Sequence, residues 1–155
     1  MTDDLVRVCN NTDRTWLSGR MPEPYTESDA EEWLAHVASR EGRDALFRVI
    51  VVDGTVAGDI SVEKDEDTGG WEVGYLLSRP FFGKGIATAA LRDMCDIAFG
   101  FIDGDTIFAR VYSSNIASRR VLEKNGFVQG RAVAKTAPVG RVVACEYVYT
   151  KTRPE

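Results

Sequence analysis

Histidine is almost absent from this sequence: one residue, His36, in a chain of 155. Zinc sites and thiol–imidazole nucleophiles both draw on histidine, so a metal centre and a cysteine-nucleophile mechanism are both set aside. Cysteine is scarce too. Cys9, Cys95 and Cys145 make an odd number with no CxxC pair, which reads as buried thiols in a reducing compartment. No run of about 18 apolar residues occurs, as a membrane span would need. The opening MTDDLVRV lacks the apolar core of a signal peptide, so a cytoplasmic protein without a membrane partner is expected. Positive charge is in deficit, with 19 Lys and Arg against 24 Asp and Glu and a net charge of −5. That balance argues against a nucleic-acid binder and leans weakly toward cationic partners.

What is present suits one compact domain, since 44% of residues are hydrophobic. Leu5, Val6, Val8 and Cys9 give the segment from Asp3 to Asn11 one apolar side of a short helix. A second turn holds Trp16 and Leu17. Pro22 and Pro24 keep the approach to Tyr25 extended. Thr26 is the expected N-cap of a helix whose Ala30, Trp33, Leu34, Val37 and Ala38 recur at helical spacing. Ala45 to Val52 reads as a strand, Asp53-Gly54 as a hairpin turn, and Val56 to Glu63 as the partner strand. A third strand begins at Trp71 and runs into Phe82-Gly83-Lys84-Gly85-Ile86-Ala87-Thr88, after which a helix is expected to bury Leu91, Met94, Cys95 and Ala98. On its outer face Arg92 and Asp96 are spaced for an i,i+4 ion pair. Thr106 to Tyr112 is a strand made parallel to that of Glu72 by the intervening helix. Asn115 caps a short helix ended by Asn125-Gly126, with Arg119, Arg120 and Lys124 along a basic edge. Two more strands follow, and the final KTRPE is expected to fray.

The glycine loop is the chemically suggestive element. Unpaired N–H groups at a helix start, beside residues with little side chain, admit a phosphate. The GxxxxGK[ST] spacing of a Walker A loop is missing. GxGxxG is only half matched, because its sixth position is Thr88. A dinucleotide fold would also place such a loop after its first strand.

Three blocks together carry a resemblance: PYTESDAEEWL at 24–34, WEVGYLLSRPFFGKGIATAAL at 71–91 and ARVYSSNIASRRVLEKNGF at 109–127. The chain resembles the GNAT superfamily of acyl-CoA-dependent N-acetyltransferases, nearest its ribosomal-protein-alanine N-acetyltransferase branch. The resemblance implies an α/β (α+β) fold: a mixed, mostly antiparallel twisted sheet with splayed parallel central strands, flanked by about four helices. Residues 1–155 would form one acyl-CoA N-acyltransferase domain using acetyl-CoA as co-substrate. The family's pyrophosphate motif, [QR]xxGx[GA], falls on Phe82 to Ala87, with Phe82 in place of its polar first residue. It implies cofactor contacts from Phe82, Gly83, Lys84, Gly85, Ile86, Ala87 and Thr88. Asn115 matches the family asparagine on the cofactor arm.

The implied reaction moves acetyl directly to a primary amine, of a small molecule or a protein N-terminus. It needs a base, an oxyanion donor and a proton for the departing thiolate. The resemblance implies Glu72 as base, with Glu146 second. It implies an oxyanion donor on the backbone of Leu76, Leu77 or Ser78. The family's usual acid, a tyrosine, is replaced by Leu122, which leaves Ser118, Tyr112 and water. Trp16, Tyr25 and Tyr112 are candidate acceptor contacts. Relatives open with a strand that this chain lacks, which leaves Ala45–Val52 as an unpaired edge. A homodimer, or a start set too late, would each account for that. A catalytically inactive CoA-binding module is the alternative reading.

Overall fold

The computed structural model describes residues 1–13, 21–136 and 142–155, with side chains left aside at 134–136 and 142–144. Helix α1 (Thr2–Asn10) turns Leu5, Val8 and Cys9 inward. Helix α2 (Glu27–Arg40) starts at a capping box. Asp29 N donates to Thr26 Oγ1 at 3.3 Å, and Thr26 N donates to Asp29 Oδ2 at 2.8 Å. Strands β1 (Ala45–Val52) and β2 (Thr55–Lys64) join at Asp53 and Gly54, both with positive φ, as a tight hairpin requires. Strand β3 (Trp71–Leu77) leads through a short 3-10 turn at Arg79–Phe81 and the glycine loop into α3 (Ile86–Phe99). Strand β4 (Thr106–Tyr112), helix α4 (Ile116–Lys124) and strands β5 (Val128–Thr136) and β6 (Val142–Thr152) complete the order. The strands form one sheet in the order β1-β2-β3-β4-β6-β5, antiparallel except for β3 and β4. Strand β1 is the sheet edge: Gly42 N donates to Ala45 O and Phe47 N donates to Glu41 Oε1 at its start, while Val49 and Val51 farther along are exposed.

The sheet divides the interior in two. The β2–β3 register sets Ile60 beside Tyr75 and Val62 beside Val73. That face packs on Leu91, Met94 and Cys95 of α3 and Leu122 of α4. On the other face Leu76 meets Leu5, Cys9, Tyr25 and Ala30 beneath α1 and α2. Asp59 is paired with Leu76 and so belongs to this second face. It borders a crevice walled by Leu5, Trp33, Leu34, Val37 and Phe47. Burial pushes its carboxyl up to about 6, and the Glu63 charge adds to the effect.

Three local expectations are corrected. Arg92 pairs with Asp93 at 3.4 Å rather than with Asp96; both partners are about two-thirds exposed, where a long side chain takes the adjacent carboxylate at little gain. The tail is anchored, not frayed, as far as Arg153. Its N–H donates to Asp105 O, and its guanidinium donates to Phe99 O and Gly104 O while lying over the Phe99 ring. Arg119 is no free basic edge: it donates to Ser113 O at 2.9 Å and to Tyr149 Oη at 3.1 Å, and covers the Tyr147 ring.

Candidate active site

Strands β3 and β4 pair at two positions only, Trp71 with Ile107 and Glu72 with Phe108. Beyond Glu72 they part, while β4 keeps its ladder with β6 as far as Tyr112–Glu146. The result is a wedge-shaped gap opening toward the C-terminal ends of two parallel strands. Backbone donors that would have joined β3 to β4 face that gap. Ser78 N donates to Ala57 O at 2.8 Å, so strand alternation turns Leu76 N–H toward β2 and Leu77 N–H toward the gap. Of the three residues expected to supply an oxyanion donor, the geometry therefore favours Leu77. Its carbonyl is already held by Thr12 Oγ1 at 2.6 Å. Ser78 is buried and its N–H is spent.

The glycine loop closes one side of the opening. Gly83 and Gly85 have φ of +70° and +77°, and Gly85 serves as the N-cap of α3 with no capping side chain. A Cβ built on either glycine would meet nothing within 4 Å, so open space lies beside both. The first helical bond from the cap is Ala89 N to Gly85 O. The N–H groups of Ile86, Ala87 and Thr88 precede it and point out of the helix start, where the dipole adds positive character. Phe82 is 43% exposed beside them, and Lys84 Nζ lies 6.0 Å from the centre of the Phe81 ring. These are the features of an anion cradle built from backbone rather than from charged side chains.

The opposite side is α4. Asn115 caps it, its Oδ1 accepting from Ser118 N at 3.3 Å. Ser118 Oγ accepts from the Tyr75 hydroxyl at 2.8 Å. Tyr75 sits on β3 three residues past the last β3–β4 pair, so this bond crosses the sheet face beside the gap. Burial pushes the Tyr75 phenol up, against the opposing pull of the Ser118 bond. Sequence reasoning passed over Tyr75. The signal was there in alternation, which puts it on the face of Val73 and Leu77, toward the helices.

Glu72 is placed otherwise than a base requires. Its two oxygens accept from Arg110 Nε and Nη2, both at 2.9 Å, at the last paired position before the strands diverge. Both carboxylate oxygens are thus engaged by the guanidinium. The same pair fastens β3 to β4 where the gap begins. Glu146 stands opposite Tyr112 at the open end of the wedge. The Tyr112 phenol is pushed up by burial and by the Glu146 charge. Tyr25 does not line an opening: it is 7% exposed in the core under α1 and α2, bonded through its backbone to both ends of the Asn10 amide. Burial holds its phenol up to about 12. Trp16 lies outside the described residues. Among the described residues no group of His, Cys, Asp and Glu could hold a metal ion, and no helix is long and apolar enough to cross a membrane.

Residues 2–128 match the family model described as an acetyltransferase (GNAT) domain. The chain is 31% identical over 106 residues to YdaF of Bacillus subtilis, which is named as a ribosomal N-acetyltransferase; the match covers 68% of this chain and 56% of YdaF. The chain thus spans little more than half the length of that relative. Among solved structures, Mycobacterium smegmatis RimJ in complex with CoA-disulfide superposes with a TM-score of 0.83 at 21% identity, over 98% of this chain and 78% of RimJ. The ribosomal-protein-S5-alanine acetyltransferase of Vibrio fischeri gives 0.79 at 23% identity, over 99% and 90%. At these identities the superpositions speak to the fold alone, and they reproduce the mixed sheet with its flanking helices. The family model, which spans most of the sequence, shows that the chain belongs to the GNAT acetyltransferase family.

Proposed function

We propose that the chain transfers an acetyl group from acetyl-CoA to a primary amine by direct attack within a ternary complex. The observation that carries this reading is the gap between β3 and β4, bounded on one side by the open start of α3 and on the other by Ser118. The backbone N–H groups from Lys84 to Thr88 would hold the CoA diphosphate, and Asn115 would meet the pantetheine arm. The acyl end would enter the gap with its carbonyl oxygen on Leu77 N–H. There the donor is already oriented for the oxyanion, at no reorganisation cost during reaction.

The acceptor reaches the gap as an ammonium ion and loses a proton to Glu146, the carboxylate at the open end. The amine nitrogen attacks the thioester carbon, and the C=O pair moves onto oxygen. Collapse breaks the C–S bond and leaves its electron pair on sulfur. Ser118 gives its hydroxyl proton to that sulfur and takes one from the nitrogen, so amide and free thiol form together. No covalent enzyme intermediate is required.

The acceptor is a small-molecule amine or a protein N-terminus; the relative's name favours the latter. A homodimer through the β1 edge is proposed on the exposure of Val49 and Val51, and sedimentation tests it. The test of function is release of free CoA thiol from acetyl-CoA against protein N-terminal peptides, polyamines, aminoglycosides and amino acids. Amine-dependent release is expected. CoA binding without release across the panel would replace the enzyme with a CoA-binding module.

A further inference from the structure

Ser118 has its acceptor capacity used from one side only. Its N–H is bonded to Asn115 Oδ1 and its oxygen to the Tyr75 hydroxyl. Among the described residues its own O–H finds no acceptor. A hydroxyl that accepts a hydrogen bond becomes a stronger donor in turn, because chained bonds polarise one another. The phenol is the more acidic of the two hydroxyls and is the natural donor of the pair. It sits on β3 while Ser118 sits on α4, so the bond fixes the rotamer of Ser118 relative to the strand that carries Leu77. Tyr75 is anchored by its ring among the core residues packed on α3, so its hydroxyl has little freedom to turn away.

We propose that Tyr75 is a positioning residue for the leaving group: it holds the Ser118 hydroxyl with its proton aimed into the gap, where the departing sulfur of CoA becomes its acceptor. This rests on the placement of CoA given above. The bond to sulfur stabilises thiolate over thiol, and Tyr75 sets its strength without touching the cofactor. Neither residue changes oxidation state, and no atom is transferred to Tyr75. Burial pushes its phenol up, which favours the protonated, donating form.

The test needs CoA alone and no acceptor. The thiol of enzyme-bound CoA is titrated by thiolate absorbance, as the difference between protein with and without CoA. Affinity is measured in parallel by calorimetry at a pH where the thiol is neutral. The bound thiol is expected to titrate below free CoA. Ser118→Ala should raise it by about one pH unit, the scale of a single hydrogen bond to a charged group. Tyr75→Phe, which keeps the ring and its packing, should raise it by about half as much while leaving CoA affinity within about twofold. The double variant should match Ser118→Ala alone, because Tyr75 acts only through Ser118. A Tyr75→Phe protein that titrates like the unaltered one, beside a shifted Ser118→Ala, overturns the proposal and leaves the cofactor placement standing. If Ser118→Ala titrates unchanged, or CoA does not bind, the placement itself fails and takes the proposal with it.

Discussion

Asp59→Asn should make the protein more stable at neutral and alkaline pH, and less so as the solution is acidified. Asp59 lies under α1 and α2, against Leu76, and among the described residues no hydrogen bond reaches its carboxylate. Burial raises it from 3.8 to about 6. A raised carboxyl binds its proton more tightly folded than unfolded. Its charged form therefore opposes folding above the unfolded value, and the penalty grows until the folded value is passed. Two pH units correspond to about 3 kcal/mol. The two-state titration gives a penalty of roughly 1 kcal/mol at pH 4.5 and about 3 kcal/mol at pH 8. Asparagine is nearly isosteric and cannot ionise, so the stability difference between the two proteins should widen by about 2 kcal/mol between those pH values. Urea unfolding at four or five pH values reads this, since carboxylates other than Glu63, whose charge acts on Asp59, titrate alike in both proteins and cancel. A difference that stays flat with pH, or narrows as pH rises, would refute the buried-charge argument. A single offset at one pH would not, because an amide's own burial cost enters there.

The remaining predictions concern the gap and its loop. Glu72→Gln should lower stability by about 1 kcal/mol, the worth of a partly exposed two-pronged ion pair, and leave the transfer rate within a few-fold. A hundredfold rate loss at unchanged stability would restore Glu72 as the base. Gly85→Ala places a side chain at φ +77°, which should cost about 1 kcal/mol in stability yet leave a measurable CoA affinity. Gly85→Glu adds a carboxylate at the proposed diphosphate site and should weaken CoA by about a hundredfold or more, as calorimetry would show. Equal affinity in the two variants would remove the loop from the CoA site.

Much of the fold was readable because its determinants are local. Asp53-Gly54 specifies a hairpin by backbone conformation alone, and Thr26 with Asp29 makes a cap within four residues. The glycine loop was legible for the same reason: positive φ and absent side chains are properties of the residues themselves. What sequence could not supply were contacts between distant segments. Glu72 looked like a base until Arg110, 38 residues on, was found gripping both its oxygens. Tyr75 drew no reading at all, because its partner Ser118 lies 43 residues away. Tyr25 seemed free to line a pocket because nothing in its neighbourhood foretold that α1 would reach back to bond it through Asn10. The resemblance to a family supplied the gap between β3 and β4, which no periodicity reveals. The two-pair ladder then located where it opens.

The run from β3 into α3, with the start of α4 across the gap, is the proposed seat of acetyl-CoA. Amide hydrogen exchange with and without CoA tests it most directly. Slowed exchange is expected at Leu77, at Lys84 through Thr88 and at the first turn of α4 from Asn115, with little change in α1 and α2. Protection confined to the crevice under α1 and α2, with the N–H groups of Ile86 to Thr88 exchanging as before, would contradict it.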